Sequence, residues 1–138
     1  MKLSERHRRS ITTALTHLDR SLCEFEQWAK GREIQSILHV EKNDLSVSQR
    51  KKLLVKIKQI RGVILNLYDT LKLEKNTQIA TAAIWSECAA LRVPLIEIET
   101  KYLARYGDMP VELAAQLDAK IEDIIKDMEG VSTLVKAQ

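Results

Sequence analysis

The sequence predicts an all-α protein: an antiparallel up-down-up-down four-helix bundle, with a short irregular or helical insert after helix one and a proline kink in helix three. Three observations carry this. Apolar residues recur at alternating spacings of three and four in four separate stretches, as they do on the buried stripe of an α-helix. Only 4 Gly and 2 Pro occur in 138 residues, and Ala, Leu, Ile, Lys and Glu dominate, so intrinsic propensity and periodicity agree. A hydrophobic content of 45% is enough for one core without disulfides or metals, and residues 1–138 read as a single domain.

Helix one is expected over residues 5–30. Ser4 is a suitable N-cap, and Ile11, Leu15, Leu18, Leu22, Phe25 and Ala29 share one face until Gly31. Past Gly31 the register breaks: at about 100° per residue, Ile34, Ile37 and Leu38 point away from the earlier stripe. Residues 31–45 are therefore the insert, irregular or helical.

Asn43 and Asp44 suit a turn, and Ser46-Val47-Ser48-Gln49 fits a capping box, in which serine and glutamine side chains satisfy backbone N–H groups reciprocally. Helix two follows over 47–75 and has the cleanest stripe: Leu53, Ile57, Ile60, Ile64, Leu67 and Leu71. Asn76-Thr77 is expected to end it and cap the next. So short a connection implies an antiparallel neighbour.

Helix three, over 78–106, carries Ile84, Cys88, Leu91, Leu95, Ile98 and Tyr102 on its main stripe, with Gly107 suited to a left-handed cap. Pro94 in its middle lacks an N–H, which frees the carbonyl of Ala90 and predicts a kink. Pro110 opens helix four, over 110–129, with Leu113, Leu117, Ile121, Ile124 and Met128 on one side. Gly130 is expected to loosen its end and residues 131–138 to fray.

Chemistry finds little footing. Cys23 and Cys88 stand far apart without a C-x-x-C pairing, so neither a zinc knuckle nor a disulfide framework is implied. His7, His17 and His39 are not spaced to place two on one helix face, and the E-x-x-H signature of di-iron bundles is missing. His17 lacks the Lys-Gly context expected of a phosphate-relay histidine, and reads as a surface residue. Glu24/Glu26, Glu97/Glu99 and Glu122/Asp123 diverge on a helix rather than converging as acid and base. There is no phosphate loop and no nucleophile elbow. The reading is a protein that is not an enzyme and needs no cofactor or metal. With no apolar stretch long enough to span a bilayer and no apolar core after the N-terminal arginines, a soluble, cytoplasmic protein is expected.

Net charge is +3, unevenly spread. Residues 46–76 hold eight Lys and Arg against Asp69 and Glu74, whereas residues 108–138 hold three lysines against seven acids. Arg50, Lys51, Lys52, Lys56, Lys58 and Arg61 make a broad cationic side of helix two that is able to track phosphates. The plainer reading is a solvated face partly neutralised by acidic helix four. The cluster Lys2, Arg6, His7, Arg8 and Arg9 opposes the dipole of helix one and either extends the positive surface or aids solubility.

Helix three offers the stronger lead. Trp85, Ala89, Ile96 and Leu103 form a second apolar line about 100° from the main stripe. Such width belongs either to a core with several neighbours or to a contact patch anchored by a tryptophan. Val47, Leu54 and Leu65 repeat the pattern more sparsely on helix two. The expected function is binding, as a homo-oligomer or as an adaptor or accessory subunit of a larger assembly. Trp85, Ile96 and Leu103 are its protein interface, with Val47, Leu54 and Leu65 behind them. The alternative is a nucleic-acid accessory protein using the six cationic residues of helix two. The apolar lines are too sparse for a membrane anchor.

Overall fold

The computed structural model describes residues 2–136, and their regular structure is helical: α1 (Glu5–Ala29), α2 (Val47–Leu71), α3 (Ala80–Glu97), α4 (Thr100–Leu103), a single 3₁₀ turn (Ala104–Tyr106) and α5 (Val111–Lys136). The chain divides into two compact units, Met1–Asn76 and Thr77–Gln138. In the first, α1 packs on α2; in the second, α3 packs on α5. Both pairs are antiparallel. Arg8 near the start of α1 donates to the carbonyl of Leu71 at 3.4 Å while Glu26 near its end takes Arg61 at 2.7 Å; likewise Arg92 meets Glu129 at 3.1 Å while Thr100 reaches Asp118 at 2.8 Å.

The predicted caps of the first unit form. Ser4 Oγ accepts from the His7 N–H at 3.1 Å. Ser46 and Gln49 close the full capping box, at 3.0 Å from the Gln49 N–H to the serine oxygen and 2.9 Å from the Ser46 N–H to the glutamine oxygen. Helix two was expected to reach residue 75 but stops at Leu71, where Lys72 takes a left-handed conformation (φ 52) and Leu73 N–H bonds back to the carbonyl of Tyr68 at 3.0 Å. That closing bond, with Leu73 buried beneath it, makes a Schellman-type end without a glycine. The insert is irregular rather than helical: Ile34 to Glu41 fold back on themselves around one antiparallel bridge, Gln35–Val40.

The second unit departs further from expectation. Its first helix begins at Ala80 without a side-chain cap, so Thr77 does not cap it; the helix waits for the strong helix-forming run Ala80-Thr81-Ala82-Ala83. Instead of one helix over 78–106, α3 passes through Pro94 to Glu97, and extended Glu99 (φ −66, ψ 150) starts α4. Asp118 on α5 stabilises this break, accepting from both the backbone N–H and the hydroxyl of Thr100 at 2.8 and 2.9 Å. Gly107 adopts φ 125, ψ 171, a region open to glycine but different from the helical cap expected there. The last helix does not end at Gly130; it continues to Lys136, the glycine weakening it only by its lower intrinsic propensity. Residues 137 and 138, also expected to fray, lie outside the described residues.

Among the described residues, full burial is confined to the seams between paired helices and one adjoining turn. Leu22, Ala29, Ile57 and Leu73 are the buried hydrophobic residues of the first unit, Cys88 and Ile121 those of the second. Among the described residues no helix is long and apolar enough to cross a membrane.

Candidate interaction surfaces

Each hairpin has two flanks, one on either side of the seam. In α3 the seam is marked by Cys88, and at about 100° per residue Ile84, Leu91 and, at the C-cap, Ile98 fall roughly 40 to 80° to one side of it. Leu113, Leu117, Ile124 and Val131 fall on the corresponding side of Ile121 in α5 by the same measure. These residues belong to, or continue, the stripes read as core. Apart from half-buried Leu117, they are 37–54% exposed. The first unit repeats the arrangement with the same hand. Leu18 and Phe25 lie beside Leu22, and Leu53, Ile60 and Leu67 beside Ile57.

The opposite flank of the second unit carries the predicted interface. Trp85, 47% exposed, borders a groove of about 400 Å³ between α3 and α5. Ala89, Leu95, Ile125 and Met128 supply its other apolar walls. The Arg92–Glu129 pair, 3.1 Å apart with both side chains more than half exposed, lies at its edge. Ile96 follows Trp85 on the same flank of α3 and is half-buried, but it does not line the groove; Leu103 is half-buried on separate α4. The structure thus gathers Trp85 with Met128, read in the sequence as part of the helix-four stripe, and with Ile125 and Ser132, which the sequence reading did not single out. Their signal was present: Ile125, Met128 and Ser132 keep a three-four spacing of their own.

On α2, Val47 and Leu65 are well exposed and Leu54 is half-buried. The six cationic residues separate into two groups. Arg61 belongs to the α1–α2 seam: it donates to Glu26 at 2.7 Å and lies 3.8 Å from the Cys23 sulfur. This hydrogen bond holds the Glu26 carboxyl below its ordinary range and raises Arg61. Arg50 is half-buried, with its Nε shielded and unpartnered and its Nη1 only 3.3 Å from the place a side chain would occupy at Gly31. Lys51, Lys52, Lys56 and Lys58 are exposed and make no ion pair among the described residues. By unit, the chain carries 16 Lys and Arg against 9 Asp and Glu in the first, net +7, and six against ten in the second, net −4.

The insert between α1 and α2 is held by a polar clamp. Arg32 makes a two-pronged pair with Glu41, Nε to Oε1 at 2.7 Å and Nη2 to Oε2 at 2.8 Å, and its guanidinium lies 5.4 Å from the centre of the Trp28 ring. The Arg32 hydrogen bond lowers the Glu41 carboxyl and, reciprocally, raises Arg32. Asn43 Nδ2 donates to the carbonyls of Trp28 and Arg32 at 2.7 and 3.0 Å, tying the returning chain to the end of α1. Among the described residues no group of three or more His, Cys, Asp and Glu is assembled to hold a metal. The chain matches no protein-family model, and neither curated proteins nor solved structures show significant similarity to it.

Proposed function

We propose that this chain is a non-enzymatic interaction protein, working as a homo-oligomer or as an accessory subunit, and that the flank of α3 bearing Trp85 is its contact surface. One observation carries the reading: an exposed tryptophan beside an apolar groove, a combination favoured at the centres of protein interfaces. Exposed aliphatic flanks on the other side of both hairpins support a division of labour. A stripe rotated about 45° from its hairpin seam is what a helix with two neighbours at right angles needs, as in a four-helix bundle. The proposal is that these flanks close an up-down-up-down antiparallel bundle, bent at Pro94, and that the Trp85 flank stays outside.

The test uses Trp85 as its own reporter. In a Trp28→Phe background Trp85 is the remaining tryptophan. As protein concentration rises, its emission should move to the blue and its quenching by iodide should fall. Emission and quenching that stay constant across the range, and also in crude extract, would overturn the reading.

A second reading rests on a separate observation, the four unpaired lysines of α2 on a unit of net +7. Lysines arranged in this way suit the phosphates of nucleic acid. If they act so, Lys52→Glu with Lys56→Glu abolishes retention on an oligonucleotide, and wild-type affinity falls steeply with salt. Salt-independent behaviour removes this reading.

A further inference from the structure

The two most exposed large aliphatic residues of the chain sit side by side at the tip of the insert. Ile37 is 98% exposed and Leu38 97%. They occupy the two central positions of a turn in which both the N–H and the hydroxyl of Ser36 donate to the carbonyl of His39, at 2.8 and 3.1 Å. Central turn positions ordinarily favour Gly, Asn, Asp or Pro, which suit the backbone and water. An Ile-Leu pair there serves neither.

Nor is the tip a loose end. Glu41 N–H bonds to the Ile34 carbonyl at 2.7 Å, the Arg32–Glu41 fork closes the base, and Asn43 fastens that base to α1. Rigid backbone below and bare aliphatic side chains above describe a knob whose ordering cost is met before any encounter, as expected of a preorganised binding element.

We infer that Ile37 and Leu38 form a knob that seats in the Trp85 groove of a second copy of this chain. The inference rests on the proposed role of that groove. Size is one argument: a groove of about 400 Å³ admits a pair of aliphatic side chains and is too small for a whole helix. Chemistry is another, since Trp85, Leu95, Ile125 and Met128 present apolar walls, and methionine adapts to the shape it receives. Net charge acts in the same direction at long range. The knob belongs to a unit of net +7 and the groove to a unit of net −4, so knob-bearing and groove-bearing units attract on approach while like units repel, the groove's own lining being of mixed charge with Arg92, Glu129 and Lys136. Because knob and groove are different surfaces, the contact is heterologous, and copies add head to tail into a ring or a chain.

The experiment compares two variants of the full chain and their mixture. One has lost the knob (Ile37→Ser with Leu38→Ser) and the other the groove (Trp85→Glu, with Ala89→Arg as an independent second version). Circular dichroism verifies that each retains its helices. Light-scattering mass is then recorded over a wide concentration range. Wild type should rise above its single-chain mass of 15.8 kDa. Each variant alone should associate at least about thirtyfold more weakly, the loss expected on removing a hot spot. An equimolar mixture should recover a two-chain species, because each variant keeps the half that the other lacks.

Three results overturn the inference, and each reads differently on the proposed function. If the knob variant still associates while Trp85→Glu does not, the groove is an interface but Ile37 and Leu38 do not fill it. If both variants and their mixture remain single chains, the wild-type contact is not knob in groove, although Trp85 still contributes to it. If wild type itself never exceeds one chain, a second copy is not the occupant, and the Trp85 surface serves a different protein.

Discussion

Ile124 tests whether the aliphatic flank of the α3–α5 hairpin is covered. It is 43% exposed, and Ile84, Leu91, Ile98, Leu113 and Val131 are similarly placed on that flank. Fully burying such a side chain contributes about 1.5–3 kcal/mol, so covering the remaining exposed part of all six would contribute about 4–8 kcal/mol in total. This rivals the entire stability of an ordinary domain, about 5–15 kcal/mol, and is the gain that covering the flank would bring. If the flank is covered, Ile124→Ala removes a fully buried side chain and leaves a cavity, costing about 2–4 kcal/mol. If it is bare, little more than half that burial exists to be lost, and the cost is about 1–1.5 kcal/mol. Equilibrium urea unfolding followed by circular dichroism measures the difference, with Leu134→Ala as control; at 74% exposure Leu134 should matter by no more than about 0.5 kcal/mol. A single transition should accompany the large effect, since covered flanks couple the helices. A cost at Ile124 below about 2 kcal/mol would refute the reasoning.

Two further predictions concern the first unit. The carboxyls of Glu26 and Glu41 are both held below their ordinary value of 4.5, chiefly by hydrogen bonds from Arg61 and Arg32. Their stabilising contribution is therefore complete above that ordinary value and disappears as pH falls through the lowered folded values. Thermal melts between pH 7 and pH 2.5 should show a flat region followed by a decline in acid, and Glu41→Gln with Glu26→Gln should flatten the decline. At Lys72, whose φ of 52 is costly for a side-chain-bearing residue, glycine should stabilise the chain by about 0.5–1 kcal/mol in urea unfolding. A loss of stability there would mean that the lysine side chain matters more than the backbone strain.

What could be read in the sequence was what neighbouring residues decide. Ser4 and the Ser46–Gln49 box fixed two helix starts because a cap involves residues three apart. The three-four stripes located the helices themselves. Features that depend on distant residues were missed. The break after Glu97 is held by Asp118 and the insert by Asn43 reaching back to Trp28, contacts that no local pattern announces. Arg61 looked like part of an open cationic face because Glu26, its partner, lies 35 positions earlier. The stripes also gave direction incompletely. Periodicity finds the apolar side of a helix, but it does not say which of those residues the paired helix covers: Cys88 is buried while Ile84 and Leu91 on the same stripe remain partly exposed. Trp85 was found because a second apolar line is itself periodic, whereas the Ile37–Leu38 tip, on no helix, belonged to no stripe at all.

The central claim is that the Trp85 flank is a contact surface and not part of the core. Light-scattering mass of wild type and Trp85→Glu, each with its circular dichroism spectrum and at low and high salt, tests it most directly. If the flank is a contact surface, wild type forms an assembly that survives salt and the variant is equally helical but reduced to a single chain. A variant that loses its helices would place Trp85 in the core and contradict the account.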